Sequence, residues 1–353
     1  MAIQTHFMKF NEKIYLTNQS NGYKKASEKD KSILAEIEIA FKEAGYPVIE
    51  IFYQGSFAVH TAIISLQGDF DIDRALVIDS TTAPKNPIEP KKIVFDVLSK
   101  RNFKNPKIKK PCVTADYTST NLHIDYTIYQ YDGSSYKLAV GKEHAADTEW
   151  SPSDTKGLID WINNKENYGE NKINKNKQFK RLVRYMKRWR DENFTDETIC
   201  KKVFSIALTV MLKEQFKPTY SATGVEDDLR ALKSTIDNII AGEYIRFASD
   251  GERLCVKLPT APCRDIFQHK DGAEKKDGSD LTVGEQFKNK LNLLQSKLQE
   301  AIDEADEIKQ CTILNGVFGR DFKIPKKSNN ASKVAAGASV FSSAGASGTS
   351  QGA

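Results

Sequence analysis

The sequence contains no apolar run long enough to cross a membrane, and its first residues, Met1 to His6, lack the apolar stretch of a secretory signal peptide. We therefore expect a cytoplasmic protein without a membrane partner. Cysteine is also scarce, and the five that occur show no Cys-x-x-Cys spacing: Cys112, Cys200, Cys255, Cys263 and Cys311. This odd, dispersed set excludes a disulfide framework and indicates reduced thiols. Cys255, Cys263 and His269 are near one another in sequence, but the missing fourth ligand favours buried thiols over a zinc site.

What the sequence does contain suits a globular protein with a substantial core. The 353 residues are 39% hydrophobic and 10% aromatic, so one bilobed or two-domain body is expected. The formal net charge is +5, and basic residues are concentrated between Lys165 and Arg190. This basic segment would attract nucleic acid or small polyphosphates, unless it is simply the solvated face of a helix.

The stretch from residue 55 to residue 73 carries the clearest chemical signal. Gly55 allows close backbone approach in a turn, and Ser56 offers a hydroxyl and an N–H group to a phosphate. Asp71 and Asp73 are two positions apart in an apolar strand, so they share one face. For a lone Asp-x-Asp pair, a solvated strand face is the simpler interpretation. Because neighbouring like charges repel, however, the pair beside this turn predicts a divalent cation, and hard oxygen ligands suit Mg²⁺.

A second strand adds a third carboxylate. Residues alternate between apolar and polar from Leu122 to Tyr129, which puts Asp125 on a polar face with His123. If this strand pairs beside the first, three carboxylates would hold two metal ions, and such ions can clamp the attacking and leaving oxygens of a phosphoryl transfer. An alternative register pairs Asp69 with Asp71, since Asp69 shares their face.

The Gly55–Ser56 turn, the Asp71 and Asp73 pair and Asp125 together resemble the DNA polymerase β-type nucleotidyltransferases. Within that superfamily the chain is most similar to the bacterial CD-NTases, relatives of animal cyclic GMP–AMP synthase and oligoadenylate synthase. The resemblance runs from Tyr53 to Phe267. It implies a bilobed, polymerase β-like α+β fold, with a mixed β-sheet catalytic lobe and an α-helical second lobe.

Secondary-structure patterns follow the same division, because strands and helices mix before residue 150 and helices dominate after it. The expected helices are Ser27–Ala44, Ile88–Asn102, Asp154–Asn164, Lys175–Glu192, Glu197–Phe216, Val225–Ile240 and Leu281–Gln310. The expected strands are Pro47–Tyr53, Phe70–Ile78, Lys109–Tyr117, Leu122–Tyr129 and Tyr136–Val140. We therefore predict a catalytic lobe with an N-terminal helix over residues 1–150, a helical lobe over 151–325 and a disordered tail over 326–353, with the nucleotide in the cleft between the lobes.

The resemblance also implies contacts from the helical lobe to the nucleotide. The segment from Leu182 to Trp189 is similar to a helix whose lysine touches the triphosphate, and the matching residue is Lys187, a compact charge suited to phosphate. Ser205 matches a hydroxyl that faces the same group. The alternatives are a surface cation for Lys187 and a helix-packing serine for Ser205. We assign Gln54, with Gly55 and Ser56, to the same nucleotide site.

For activity, the resemblance implies a nucleotidyltransferase that makes a cyclic di- or trinucleotide second messenger in CBASS anti-phage defence. Its substrates would be ATP with GTP or another nucleoside triphosphate, its cofactor Mg²⁺ or Mn²⁺, and its product the ligand of a downstream effector. One rival is a linear oligoadenylate synthetase, or an RNA or small-molecule nucleotidyltransferase, on the same fold. Another is a non-catalytic nucleic-acid-binding protein that uses the basic segment.

The sequence from Ser328 to Ala353 is nearly all Ser, Ala, Gly, Asn and Val. It has too little apolar surface to offset the entropy of ordering, so we expect it to be mobile. A dispensable linker is the simpler interpretation. Some CD-NTases, however, end in a flexible tail with a small final residue that an E1/E2-like partner joins to target amines. That resemblance makes Ala353 a candidate conjugation site.

Overall fold

A mixed β-sheet forms the centre of the first lobe. The computed structural model of the chain describes residues 2–17, 19–66, 70–101, 103–117, 122–248, 251–267 and 279–326. The strands of this sheet are β1 (Val48–Tyr53), β2 (Phe70–Asp79), β3 (Lys104–Ile108), β4 (Val113–Tyr117), β5 (Leu122–Tyr131), β6 (Tyr136–Val140) and β7 (Glu149–Pro152). Their order is β1-β2-β5-β4-β3, and β6 pairs with both β5 and β7. The central β2–β5 pair is parallel, whereas its neighbours are antiparallel, so the predicted mixed sheet is confirmed.

One face of the sheet is apolar and is covered by two helices, α2 (Asn21–Glu43) and α4 (Ile88–Lys100). The covered side chains alternate along β2 and β5, and include Ile72, Leu76, Ile78, Ile124 and Ile128. This alternation confirms that the aspartates of both strands lie on the opposite face.

A buried ion pair fixes α2 on the sheet. Asp30 of α2 is fully buried and accepts hydrogen bonds from Arg74 Nε at 2.6 Å and from the Tyr126 hydroxyl at 2.9 Å. The predicted start of this helix at Ser27 is wrong, because the helix begins six residues earlier, at Asn21. Ser20 occupies the cap position, and its hydroxyl accepts a hydrogen bond from Thr17 N at 3.2 Å instead of capping the helix.

The second lobe is mainly helical. Its helices are α5 (Thr155–Asn163), α6 (Lys172–Asn193), α7 (Glu197–Lys202), α8 (Ser205–Gln215), α9 (Asp228–Ala241), α10 (Ser279–Asp303) and α11 (Glu307–Phe318), with a short hairpin of β8 (Ile245–Ala248) and β9 (Gly251–Leu254). The α+β bilobed class is therefore confirmed, although the hairpin was not expected from sequence. Among the described residues, no helix is both long and apolar enough to cross a membrane.

The first helix, α1 (Ala2–Ile14), packs in the core of the helical lobe. The Phe7 ring lies 5.3 Å from the Tyr185 ring, and the Phe10 ring lies 5.1 Å from the Phe318 ring. These contacts cross the predicted boundary at residue 150. We propose the boundary at residue 150 for the chain that follows α1, and α1 itself packs in the core of the helical lobe.

Two predicted helices are each divided in the structure. The segment 197–216 forms α7 and α8, with Phe204 in an extended conformation between them. The segment 281–310 forms α10 and α11, and Asp306 begins the second helix by accepting a hydrogen bond from Lys309 N at 2.9 Å. Asp69 and the tail residues 327–353, including Ala353, lie outside the described residues.

Candidate active site

The register of three strands gathers polar side chains on the face of the sheet opposite α2 and α4. On the parallel β2–β5 pair, Asp73 is directly opposite Asp125, and Asp71 is opposite His123. The three predicted carboxylates are therefore neighbours, as the strand pattern indicated. Asp69, on which the alternative register depends, lies outside the described part of the chain.

A short turn lies directly over this face. Gly55 opens the four-residue helix α3 (Gly55–Ala58) with φ of +60°, and Gln54 precedes it in an extended conformation. A Cβ atom built on Gly55 would lie 2.0 Å from Asp73 Oδ2. The turn can approach the carboxylate this closely only because the residue is glycine, which fits the role predicted for it.

The carboxylates differ in their electrostatics. Burial, together with the nearby charges of Asp125 and Asp71, raises the pKa of Asp73 to about 7. Burial also opposes ionisation of Asp125, but the neighbouring His123 and Thr114 outweigh that effect, so the pKa of Asp125 lies below its usual range. The face thus combines one firmly ionised carboxylate with one whose charge is costly, which is the condition that a bound cation relieves.

A cavity of about 390 Å³ opens beside the carboxylates, between the two lobes. Its polar lining includes Gly55, Ser56, Thr61, Ser65, Asp71, Asp73, Lys187, Arg190, Asp191, Ser205 and Thr209. Its apolar lining includes Leu16, Phe57, Val59, Ile63, Leu158, Ile159, Ile162 and Ile206. The cavity therefore has a charged end next to the carboxylates and an apolar wall, which suits a ligand with an anionic part and a flat apolar part.

Lys187 reaches this cavity from α6 but is not a surface cation. Its side chain is 6% exposed, and its ammonium group donates to the backbone oxygen of Thr61 at 3.0 Å and to the Thr61 hydroxyl at 3.3 Å. The backbone N–H of Thr61 in turn donates to the backbone oxygen of Ser56 at 2.9 Å. Burial, with the charge of Arg190, lowers the pKa of Lys187 to about 7. Lys187 is thus linked through Thr61 to the turn that carries Ser56.

Two further cations of α6 hold the same segment. Arg184 Nη1 donates to the His60 oxygen at 2.6 Å, and Arg188 Nη2 donates to the Ile64 oxygen at 2.6 Å. Residues 184, 187 and 188 share one helix face, because side chains three and four positions apart are neighbours. One side of α6 therefore anchors the backbone between the Gly-Ser turn and β2.

Ser205 lines the cavity at the first residue of α8, and its partner is Arg190. Arg190 Nη1 donates to Ser205 Oγ at 2.6 Å and to the Val203 oxygen at 3.2 Å, while Nε and Nη2 donate to Asp191 Oδ1 at 2.9 and 2.7 Å. The structure thus places Ser205 at the cavity, as predicted, and adds an arginine that holds it. Arg190 is three residues after Lys187, and this helical spacing is the signal that could have identified it.

Gln54 is placed differently from the other predicted nucleotide residues. It is 9% exposed, and its side-chain oxygen accepts a hydrogen bond from the Tyr129 hydroxyl at 3.1 Å. Its backbone N–H donates to the backbone oxygen of Asp73 at 3.1 Å. Gln54 is not among the described residues that line the cavity. A contact from its side chain to a nucleotide remains a prediction.

The donor set fits a hard divalent cation in its chemistry. Asp125 Oδ1 is buried and accepts no hydrogen bond among the described residues, although His123 Nε2 lies 3.1 Å from it, and a buried acceptor of this kind is costly unless it is used. Asp71 and Asp73 add carboxylate oxygens on the same face, with Asp71 exposed to solvent. Within the described part of the chain, no three His, Cys, Asp or Glu side chains already form a closed metal cluster. The carboxylates therefore share one face without converging on a single point.

Comparisons with known proteins agree with this site. The family model described as "Cyclic GMP-AMP synthase DncV-like, nucleotidyltransferase domain" matches residues 49–129, a range that contains the turn, β2 and β5 up to Tyr129. A curated "Cyclic GMP-AMP synthase" of Escherichia albertii is 30% identical over 185 residues, which are 50% of this chain. The match spans 39% of that relative's length.

Solved structures share the fold. The dinucleotide cyclase DncV of Vibrio cholerae superposes with a TM-score of 0.67 at 17% identity, covering 88% of this chain and 93% of that one. The CD-NTase CdnG of Bradyrhizobium diazoefficiens gives a TM-score of 0.63 at 15% identity, covering 91% and 96%. Residues 49–129, which contain the Gly-Ser turn and the paired carboxylates, thus match a DncV-like nucleotidyltransferase domain, and the chain shares the fold of these solved structures.

Proposed function

We propose that the chain is a metal-dependent nucleotidyltransferase that joins nucleoside triphosphates into a cyclic di- or trinucleotide. The observation that carries the proposal is the pairing of Asp73, which lies under Gly55 and lines the interlobe cavity, with Asp125 on the adjacent strand, which is not among the described cavity-lining residues. Phosphoryl transfer depends mainly on positioning and on stabilisation of developing negative charge, and this end of the cavity has groups for both tasks.

In this proposal Asp71, Asp73 and Asp125 hold the divalent cations. When bound, such cations activate a hydroxyl nucleophile and neutralise charge on the phosphates. The oxygen-only donor set favours Mg²⁺, with Mn²⁺ as a substitute. Asp125 lies on the side away from Gly55 by strand order, so we assign it to the cation at the attacking ribose hydroxyl. Asp71 and Asp73 lie along the cavity and are assigned to the triphosphate side.

Ser56, Lys187 and Ser205 are proposed to hold the triphosphate. All three line the cavity, and Lys187 supplies a compact positive charge. To donate to a phosphate oxygen, its ammonium group has to release at least one of its contacts with Thr61. Triphosphate binding would then loosen the link between α6 and the Gly-Ser turn while forming a charge-assisted bond in its place.

The names of the similar proteins support the proposal of a cyclic product over a linear one. The matching curated protein is named a cyclic GMP–AMP synthase, and one DncV structure holds the linear intermediate 5′ pppA(3′,5′)pG. Other DncV and CdnG structures hold GTP, or ATP with GTP. We therefore propose ATP together with GTP or another triphosphate as substrates. A linear oligoadenylate synthetase, or an RNA or small-molecule nucleotidyltransferase, is the rival on the same fold.

The rival of another class, a nucleic-acid-binding protein, has less support. Several cations of the basic segment and its neighbours are used inside the protein. Lys180 Nζ donates to Asn163 Oδ1, Lys175 Nζ to the Tyr168 oxygen and Lys213 Nζ to the Tyr168 hydroxyl, each at 2.8 Å. These lysines fix the loop before α6, so less of the basic charge is available to a polyanion.

The deciding experiment is incubation of the protein with the four nucleoside triphosphates and Mg²⁺, with product masses read by mass spectrometry. A cyclic product has lost one pyrophosphate for each nucleotide and carries no terminal phosphate. A product that keeps a 5′-triphosphate supports the linear rival instead. The matched control is the Asp71→Asn, Asp73→Asn double variant, and product formation by that variant would refute the metal site.

We further propose the cellular setting that the family resemblance implies: cytoplasmic CBASS anti-phage defence, with a downstream effector that binds the product.

We also propose that an E1/E2-like partner joins Ala353 to target amines. Deleting residues 329–353 should leave synthesis unchanged and abolish conjugation. Adding a few residues after Ala353 moves the reactive carboxylate without shortening the tail. Normal conjugation by that extended chain, with Ala353 internal, would refute the C-terminal linkage.

A further inference from the structure

His123 lies among carboxylates and contacts two of them. Its Nδ1 atom is 2.5 Å from Asp116 Oδ1, and its Nε2 atom is 3.1 Å from Asp125 Oδ1. On its other side, strand register places Asp71 of β2 directly opposite. The imidazole is therefore the centre of a small polar group that includes one of the proposed metal ligands.

The register of the antiparallel β4–β5 pair builds this group. Asp116 is opposite His123, and Thr114 is opposite Asp125. Because side chains alternate along each strand, all four point to the same face of the sheet. Thr114 Oγ1 lies within hydrogen-bond distance of His123 Nε2, at 2.7 Å, so the hydroxyl is the fourth member of the group.

The group does not act as core packing. The side chains of His123 and Asp116 are 28% and 56% exposed, and neither belongs to a hydrophobic cluster of the described residues. Exposed ion pairs add little to stability, typically about 0–1 kcal/mol, so stability alone does not account for the arrangement. What the imidazole does determine is the surroundings of Asp125, whose Oδ1 atom lies close to it yet accepts no hydrogen bond among the described residues.

We propose that His123, held in place by Asp116, is a positioning residue that orients the Asp125 carboxylate for divalent-cation binding. The proposal rests on the proposed function, since it assumes that Asp125 is a metal ligand. Groups that contact a metal ligand from behind fix its orientation, and losing one of them typically costs about 10–100-fold in metal affinity or activity. Without the imidazole, Asp125 would lose the contact to its Oδ1 atom and would keep Thr114, opposite it on β4, as its neighbour.

The experiment measures cation binding directly. Mn²⁺ is titrated into the nucleotide-free protein, and the free ion is followed by electron paramagnetic resonance. Relative to wild type, His123→Ala should weaken Mn²⁺ binding about 10–100-fold, and Asp116→Asn should weaken it less. His123→Gln should restore part of the loss, because its amide can occupy the place of the imidazole between Asp116 and Asp125. The matched control is His144→Ala, a histidine whose side chain is 89% exposed and which should bind Mn²⁺ like wild type.

Kinetics provide a second readout that a purely structural role would not produce. In the proposed site, the orientation of Asp125 affects the cation at the attacking hydroxyl and not the binding of the triphosphate. His123→Ala should therefore lower kcat by about the same factor as it weakens Mn²⁺ binding, whereas KM for ATP should change by less than about threefold. If KM for ATP rises as much as kcat falls, the effect is not confined to Asp125, and the proposal is wrong.

The outcomes separate this inference from the proposed function. If Asp125→Asn itself binds Mn²⁺ and turns over like wild type, the proposed metal site fails. If Asp125→Asn is impaired while His123→Ala and Asp116→Asn bind Mn²⁺ within twofold of wild type, the positioning role fails. If His123→Ala loses Mn²⁺ completely while Asp116→Asn is unaffected, His123 is itself a ligand and does not act through Asp125. If His123→Ala does not fold, Asp116→Asn decides alone, since it changes one exposed oxygen to nitrogen.

Discussion

A Cβ atom at position 55 would lie 2.0 Å from Asp73 Oδ2, so the turn and the carboxylate can coexist only because residue 55 is glycine. The same residue has φ of +60°, which other L-residues adopt at a cost of about 1–2 kcal/mol. Two separate physical requirements therefore meet at one residue, and each can be tested by substitution.

Gly55→Ala should abolish product formation, because the methyl group must displace the Asp73 carboxylate. The matched control is Gly133→Ala, where φ is +90° and a Cβ atom would meet nothing within 4 Å. Both variants should lose stability through backbone strain, and only Gly55→Ala should lose activity. Thermal unfolding and product yield measure the two effects. Comparable activity in the two variants would show that the approach to Asp73 does not matter.

The raised pKa of Asp73 predicts a pH-dependent stability of the metal-free protein. Its folded pKa is about 7 against 3.8 for the ordinary side chain, so the folded chain binds more protons than the unfolded chain between these values. Asp73 thus lowers the free energy of unfolding by an amount that grows as pH rises from about 4 to 7 and stays constant above that range. Asp73→Asn should raise Tm in EDTA clearly at pH 8 and less at pH 5, by roughly 2–4 °C per kcal/mol gained. An equal gain at both pH values would contradict the burial of this charge.

Asp125→Asn should lower kcat more than it weakens triphosphate binding. In this variant the cation proposed at the triphosphate would keep its ligands Asp71 and Asp73. The cation proposed at the attacking ribose hydroxyl would lose its ligand Asp125. Interactions made in the transition state appear in kcat, and those made equally in both states appear in KM. Equilibrium binding of a non-hydrolysable ATP analogue, beside steady-state kinetics, separates them. A loss of analogue affinity with unchanged kcat would contradict the assigned role.

Much of the carboxylate site could be predicted from sequence because strand periodicity is local. Alternation along Leu122–Tyr131 and Phe70–Asp79 fixed which residues share a face, and parallel pairing then brought Asp73 opposite Asp125. The glycine and serine of the turn were also recognisable, since a positive φ and a close approach both require glycine. These features depend on only a few residues each.

The rest depends on contacts between distant parts of the chain. Nothing local indicates that Lys187 donates to Thr61, 126 positions away, or that α1 packs beside Tyr185. The division between α10 and α11 was missed because no glycine or proline marks it. Arg190 was recognised only as part of a basic segment, since its contact with Ser205 becomes visible only once α6 and α8 are packed together.

The contact between Lys187 and Thr61 leads to the last prediction, because it separates a phosphate contact from a scaffold role. Lys187→Ala removes a charge that a triphosphate would contact and a monophosphate would not reach. Charge-assisted contacts of this kind are worth about 1–3 kcal/mol, so triphosphate affinity should fall roughly 5–150-fold while monophosphate affinity changes little. The matched control is Thr61→Val, which removes the hydroxyl but keeps the backbone oxygen that accepts at 3.0 Å. Isothermal titration calorimetry with AMP and a non-hydrolysable ATP analogue compares the variants. If both nucleotides lose the same affinity in Lys187→Ala, the lysine acts only by holding the segment beside the Gly-Ser turn.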